Sequence, residues 1–139
     1  MLLRARMEER SGITLVEAAI AYPALIFIIL AILITATGIL SYQEVASLAS
    51  EGARYAAVHG SAYASTTGLE AATPDSVRKN AILRNAVLVK PSKLTTTVSW
   101  TPDNSPGSSV TVAVSYEWSP VEYLSPVTMR SEARMTISN

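Results

Sequence analysis

The sequence contains no cysteine, a single histidine and few charged residues. The lack of cysteine excludes disulfides, thiolate catalysis and cysteine-based metal sites. Charged residues make up 16% of the 139 residues, against roughly 25% in ordinary soluble domains. The formal net charge is zero, so a broad electrostatic attraction to nucleic acid is not expected.

Motifs of catalysis and cofactor binding are also missing. There is no P-loop, dinucleotide fingerprint or nucleophile elbow, and His59 has no second histidine to share a metal with. The acidic residues of the C-terminal part are scattered, with no calcium-loop spacing: Glu70, Asp75, Asp103, Glu117, Glu122 and Glu132. We therefore expect no enzyme, no metal and no cofactor, and expect His59, beside Gly60, to be a surface or capping residue.

One long hydrophobic run dominates the N-terminal third. No charged side chain occurs from Ala18 to Gln43. As a helix, residues 18–40 would extend about 35 Å, which exceeds the roughly 30 Å of bilayer hydrocarbon and fits one tilted crossing. A signal-peptide core of about 7–15 residues is shorter. A buried soluble helix is the alternative, but the rest of this small chain could hardly cover it on all sides.

The residues that flank the run predict its orientation. The leader contains three arginines, whereas Glu44 and Glu51 come first on the other side. Basic residues favour the cytoplasmic side. We therefore expect a single-pass protein of the cytoplasmic membrane, with its N-terminus inside and everything after about Leu40 extracytoplasmic.

A lone carboxylate, Glu17, lies at the edge of this run. It can be a side chain that extends to the membrane interface. However, a basic leader ends at Gly12, four residues intervene, and Glu17 leads directly into the apolar tract. This arrangement resembles the prepilin processing site of type IV pilin-like proteins. The resemblance implies that an aspartyl prepilin peptidase cuts between Gly12 and Ile13.

The residues near the implied cut agree with such a role. Glycine lets the backbone enter a protease cleft without a side-chain clash. Cleavage would create an ammonium group at Ile13, and positions i and i+4 meet on one helix face, so the new amine could pair with Glu17. Pro23 removes one backbone donor and bends the helix, and we interpret it as shaping the helix.

The helical pattern continues beyond the run, over residues 41–60. Small residues recur there at steps of three and four, namely Ala46, Ala49, Gly52, Ala53, Ala56 and Ala57. Such a stripe lets another element approach closely, either a partner helix or this chain's own outer domain. Gly60 and Ser61 predict the end of the helix.

With Val16-Glu17, Pro23 and the segment Glu51-Gly52-Ala53-Arg54, the sequence resembles the TadE-like family. These are minor pilins or pseudopilins of the tight-adherence (Flp) pilus system. The family implies partners: the prepilin peptidase, major and minor pilin-like subunits that contact the N-terminal helix, the inner-membrane assembly platform, and the bilayer. Glu51 and Arg54 can form a solvated i, i+3 pair or a docking contact with another subunit.

The C-terminal part predicts a small mixed domain. Thr73 and Pro74 indicate a helix start, and Val77, Ala81, Ile82, Leu88 and Val89 would form the apolar face of a helix over about 74–89. Residues 61–73 look like a loop. Three alternating segments predict strands: 94–100, 109–118 and 128–137, whose apolar face would hold both tryptophans. An antiparallel three-stranded sheet is the simplest outcome.

The predicted fold is therefore α+β: a long N-terminal transmembrane helix that continues outside the membrane and packs against a small domain with one helix and a three-stranded sheet. The segments are a leader at 1–12, a helix at 13–60 that spans the membrane at about 18–40, and an outer domain at 61–139. The function implied is that of a minor pilin or pseudopilin processed after Gly12. The alternative is an unprocessed bitopic protein whose outer domain binds an envelope partner or ligand.

Overall fold

The computed structural model of the protein describes residues 14–121 and 125–138, and gives the helical course of the backbone over 2–13. The chain divides into two compact units, Met1–Thr37 and Gly38–Asn139. The elements are one long helix, several short helices and a three-stranded antiparallel sheet. The predicted α+β class is confirmed.

Helix α1 runs from Leu2 to Val58. The last carbonyls of a helix have no partner within it and need donors from elsewhere. Here the backbone N–H of Ser138 donates to the Ala57 carbonyl at 3.1 Å, and that of Ala72 donates to the His59 carbonyl at 2.7 Å. These two hydrogen bonds fix the end of α1 and the residue after it to other parts of the chain. The helix ends at Val58, two residues before the stop predicted at Gly60.

A short helix α2 (Ser61–Thr67) follows directly, so the loop predicted over residues 61–73 is wrong in its first half. The hydroxyl of Thr67 donates to the Tyr63 carbonyl at 2.7 Å, four residues back. Gly68 ends the helix in the left-handed conformation, with φ of 71°, which glycine adopts at low cost. No residue of α2 is buried. Its sequence therefore has no apolar face from which a helix could have been predicted.

Helix α3 (Pro74–Val77) begins as predicted, with Thr73 as its cap. The Ser76 backbone N–H donates to the Thr73 hydroxyl at 3.2 Å, and Ser76 Oγ accepts from the Thr73 N–H at 2.9 Å. The chain then widens into a π-helical segment, Arg78–Leu83, and leaves the helix. A helix continuing to Val89 is therefore wrong: Val77, Ala81 and Ile82 are buried as predicted, but Leu88 is largely exposed and Val89 returns to the core from a loop.

The sheet has the order β1–β2–β3, with β1 at Leu94–Thr101, β2 at Ser109–Trp118 and β3 at Val127–Thr136. A 3₁₀ turn, Pro91–Lys93, precedes β1. Every pair is antiparallel, and Val112 of β2 faces Val98 of β1 and Ala133 of β3. Because side chains alternate along a strand, this register places the predicted apolar residues on one face.

That face and the last part of α1 enclose the core of the second unit. Val110, Val112 and Val114 of the central strand are fully buried. They belong to one hydrophobic cluster with residues of α1 and of the helical segment after Thr73, namely Val45, Leu48, Ala49, Ala53, Ala56, Val77 and Ile82. Trp100 and Trp118 pack against the cluster while half-buried. Core packing of both tryptophans is confirmed.

The connection between β1 and β2 is held by Asp103. Its Oδ1 accepts from the hydroxyl of Ser105, from the hydroxyl of Ser108 at 2.7 Å, and from the Ser105 backbone N–H at 3.1 Å. These donors stabilise the ionised carboxylate and, led by the Ser105 hydroxyl, hold the pKa of Asp103 below its ordinary value. Gly107, at φ of 89°, completes the turn.

Candidate functional site

The first described part of α1 is an uncovered apolar surface. Residues 14–37 are exposed, apart from half-buried Ala18. They include large side chains such as Leu15, Ile26 and Phe27. Exposure of this much apolar surface to water would be strongly unfavourable. Among the described residues, the helix starting at Thr14 is the one that is long and apolar enough to cross a membrane.

Two threonine hydroxyls within this stretch form hydrogen bonds to carbonyls of their own helix, as an apolar environment requires. The hydroxyl of Thr35 donates to the Ala31 carbonyl, and that of Thr37 donates to the Ile34 carbonyl, each at 2.8 Å. Threonine hydroxyls bonded to their own helix need no water. Pro23 lies inside the helix, where it lacks an N–H to donate.

Glu17 is the exception, because it is an exposed carboxylate on the uncovered surface. No other residue from Thr14 to Gln43 carries a charge. A carboxylate in a lipid environment is costly unless it reaches the interface or a cationic partner. The predicted cleavage residues, Gly12 and Ile13, lie outside the described residues, as do the leader arginines.

The small-residue stripe of α1 packs on this chain's own domain. Ala49, Ala53 and Ala56 are fully buried. A Cβ placed on Gly52 would lie 3.0 Å from Val112 Cγ1 and 3.4 Å from Ile82 Cδ1, so the glycine permits the close approach of helix and sheet. Of the two possibilities left by the sequence, own-domain packing is the one observed.

The segment Glu51-Gly52-Ala53-Arg54 therefore has two sides. Gly52 and Ala53 are buried, whereas Glu51 and Arg54 are exposed and form no ion pair with each other or with another described residue. The two charged side chains border a shallow groove of about 270 Å³, whose other lining residues are Tyr55, Val58, His59, Asn80, Ala81 and Asn85.

His59 lies along this groove between two tyrosines. Its ring stacks on Tyr55, with centroids 4.1 Å apart, and meets the edge of Tyr63 at 4.6 Å. Its Nδ1 lies 2.9 Å from the Tyr55 carbonyl, in the last turn of α1. This is a capping position, as predicted. Within the described residues, no group of three or more metal-ligating side chains occurs.

Glu44 has a structural role that the sequence did not reveal. Its Oε1 accepts from the backbone N–H of Val87 at 2.5 Å and from that of Leu88 at 2.9 Å, and its Oε2 accepts from Leu88 at 2.9 Å. One carboxylate thus ties the loop after the π-helical segment to α1. The residues are more than 40 positions apart, so no local pattern could have indicated the contact.

The family model for TadE-like protein matches residues 12–54. This N-terminal segment is TadE-like. The match covers the exposed apolar stretch of α1, the Glu17 position and the Glu51–Arg54 segment, and it confirms the resemblance predicted from those residues. TadE-like proteins are structural components of pili and not enzymes. No curated protein and no solved structure matches the chain significantly.

The TadE-like segment ends inside α1. Its last part, from Gly38 to Arg54, belongs to the second compact unit, where it supplies the buried face of the helix. The sheet and the short helices lie outside the match. A TadE-like segment with a helix fit to cross a membrane agrees with a component of the Tad pilus system.

Proposed function

We propose that this chain is a minor pilin or pseudopilin of Tad (Flp) pilus assembly. The observation that carries the proposal is the coincidence of the TadE-like match over residues 12–54 with the uncovered apolar stretch of α1. In this proposal α1 anchors the chain in the cytoplasmic membrane at about 18–40, with the leader 1–12 inside and the domain 61–139 outside. The role is structural, not catalytic.

The proposed mechanism begins with removal of the leader by a prepilin peptidase after Gly12. The cut leaves an ammonium group at Ile13, four residues before Glu17, where the two charges share a helix face. In the low dielectric of the membrane, the Glu17 carboxylate is stabilised by a cation, either its own amine or that of a neighbouring subunit. Pairing between subunits would move the helix sideways out of lipid and into a bundle of pilin helices at the inner-membrane assembly platform.

The processing step is tested by N-terminal sequencing of the protein purified from membranes of cells that contain the prepilin peptidase. The wild-type chain should begin at Ile13. Gly12→Ala should keep its leader and run as a larger species, because the added methyl group obstructs the cleft. Ser11→Ala, beside the cut, is the matched control and should be processed normally.

A wild-type chain that still begins at Met1, with Gly12→Ala unchanged in size, would contradict the processing step and favour the unprocessed bitopic alternative. Sequencing has the advantage that it reports on the cut directly, whatever the later fate of the subunit. A mature chain that begins at Ile13 would also show that the leader 1–12 is a segment distinct from the helix 13–60.

A further inference from the structure

The loop after the π-helical segment presents two apolar side chains to solvent. Val87 is 84% exposed and Leu88 is 61% exposed. Val87 is more exposed than any large apolar side chain among the described residues of the uncovered α1 stretch, where Leu15 reaches 72%. The two adjacent aliphatic side chains form a small apolar patch on the surface of the domain.

The loop has a defined position because Glu44 accepts hydrogen bonds from the backbone of both residues. Glu44 is four positions after Leu40, the last residue of the apolar run. Residues i and i+4 lie on one helix face, about 6 Å apart along the axis. Leu40 is itself half exposed. The Val87–Leu88 pair is thus held within about one helical turn of the end of the predicted membrane span.

The charged side chains in the sequence segment around the pair are all basic, and the Glu44 carboxylate next to the pair accepts hydrogen bonds from its two backbone N–H groups. Between Asp75 and Asp103 the sequence has no acidic residue and five basic ones, Arg78, Lys79, Arg84, Lys90 and Lys93. Arg84 and Lys90 flank the apolar pair and are exposed. Apolar side chains bordered by basic ones are the combination that binds an anionic lipid surface: the former enter the boundary of the acyl chains and the latter contact the headgroups.

We propose that the segment Arg84–Lys90 is a second membrane contact that docks the outer domain on anionic phospholipid. Val87 and Leu88 insert into the interface, Arg84 and Lys90 contact headgroup phosphates, and Glu44 positions the loop. The inference rests on the proposed function, because it requires α1 to span the bilayer.

The chain has no cysteine, so single cysteines can carry an environment-sensitive fluorophore without background labelling. The informative substitutions are Val87→Cys and Leu88→Cys. Ile28→Cys reports on the span, and Thr66→Cys in α2 is the exposed control. The full chain is reconstituted in vesicles of equal parts phosphatidylglycerol and phosphatidylcholine, at a low ratio of protein to lipid. Quenching is measured with a lipid-attached nitroxide and with aqueous iodide.

Labels at positions 87 and 88 should show blue-shifted emission, quenching by the lipid nitroxide, and an iodide quenching constant several-fold lower than at position 66. If they match position 66 while position 28 is quenched from lipid, the docking inference is wrong and the anchor stands; a protein partner for this loop would then be favoured. If position 28 is also open to iodide, the anchor and the docking both fail.

A separate comparison tests whether the basic side chains of the loop contribute to membrane binding. Combining Arg84→Gln with Lys90→Gln should reduce quenching of the label at position 87 by the lipid nitroxide in the mixed vesicles. The same quenching should also be reduced when Arg84 and Lys90 are kept but the vesicles contain only phosphatidylcholine. Arg130→Gln with Arg134→Gln, two exposed basic residues of β3, is the matched control and should change nothing. Equal quenching in all of these would overturn the assignment of anionic lipid as the partner.

Discussion

At the scale of single residues, Gly52 shows how one motif position joins helix to sheet. Its neighbours in the motif, Glu51 and Arg54, are exposed, but Gly52 itself lies against Val112 and Ile82, which are fully buried. The sequence indicated only that small residues recur here. It could not indicate what covers them, because own-domain and partner packing need the same pattern.

Replacing Gly52 should separate helix propensity from packing. Gly52→Ala gains about 1 kcal/mol of helix propensity and meets Val112 at 3.0 Å, so we expect a small net change. Gly52→Leu adds volume that the core cannot hold and should lower the free energy of unfolding by roughly 1–3 kcal/mol. The measurement is denaturant unfolding of the full chain in detergent, followed by the fluorescence of Trp100 and Trp118.

Ser47→Leu is the control for this comparison, since Ser47 is an exposed position of the same helix and surface substitutions usually change stability by less than about 0.5 kcal/mol. Equal stability of the Gly52→Leu and Ser47→Leu proteins would show that α1 does not pack closely on β2.

At the scale of elements, the sheet was largely predictable and the short helices were not. Alternation over 109–118 gave the bounds of β2, because one face of the strand lies in the core and the other, apart from buried Ala113, is at least partly exposed. The helix predicted to Val89 followed an equally good periodicity, but the π-helical segment Arg78–Leu83 and the long-range contact with Glu44 end it early. Helix α2 has no apolar face to detect; Gly68 was its one available signal.

The β1–β2 connection should make the domain sensitive to acid through Asp103. Its pKa is lowered in the folded state, chiefly by the Ser105 hydroxyl. A carboxylate with a lowered folded pKa contributes stability that is present above its unfolded pKa and is lost as pH falls through the folded value. Asp103→Asn should therefore be less stable than wild type near pH 7, with the difference shrinking below about pH 4.

Urea unfolding at a series of pH values measures this difference. Glu117→Gln, which neutralises an exposed carboxylate of β2 outside the β1–β2 connection, is the matched substitution measured beside it. A stability difference between wild type and Asp103→Asn that stays constant with pH would mean that the hydroxyl bonds to Asp103 do not favour its ionised form.

At the scale of the whole molecule, α1 contributes residues to both compact units, and its two parts differ in how far they are buried. From Gly38 onward the small residues of α1 are used inside the domain, so they are not free to pack on another subunit. The described residues that lie outside that core include the apolar stretch before Gly38, with Glu17, and the exposed side chains of Glu51 and Arg54. The exposed apolar stretch was predictable from the sequence, since a long uncharged run has few stable environments besides lipid. Its part in assembly stays a proposal.

The most direct test of the proposed function is the number of Flp pili per cell in a strain that lacks this chain and is complemented with its variants. Pili should be lost in the deletion strain and restored by the wild-type chain and by Glu70→Gln, which neutralises an exposed carboxylate outside the TadE-like segment. Glu17→Gln, present in the membrane at an equal level, should fail to restore them. A normal number of pili in the deletion strain would contradict the account.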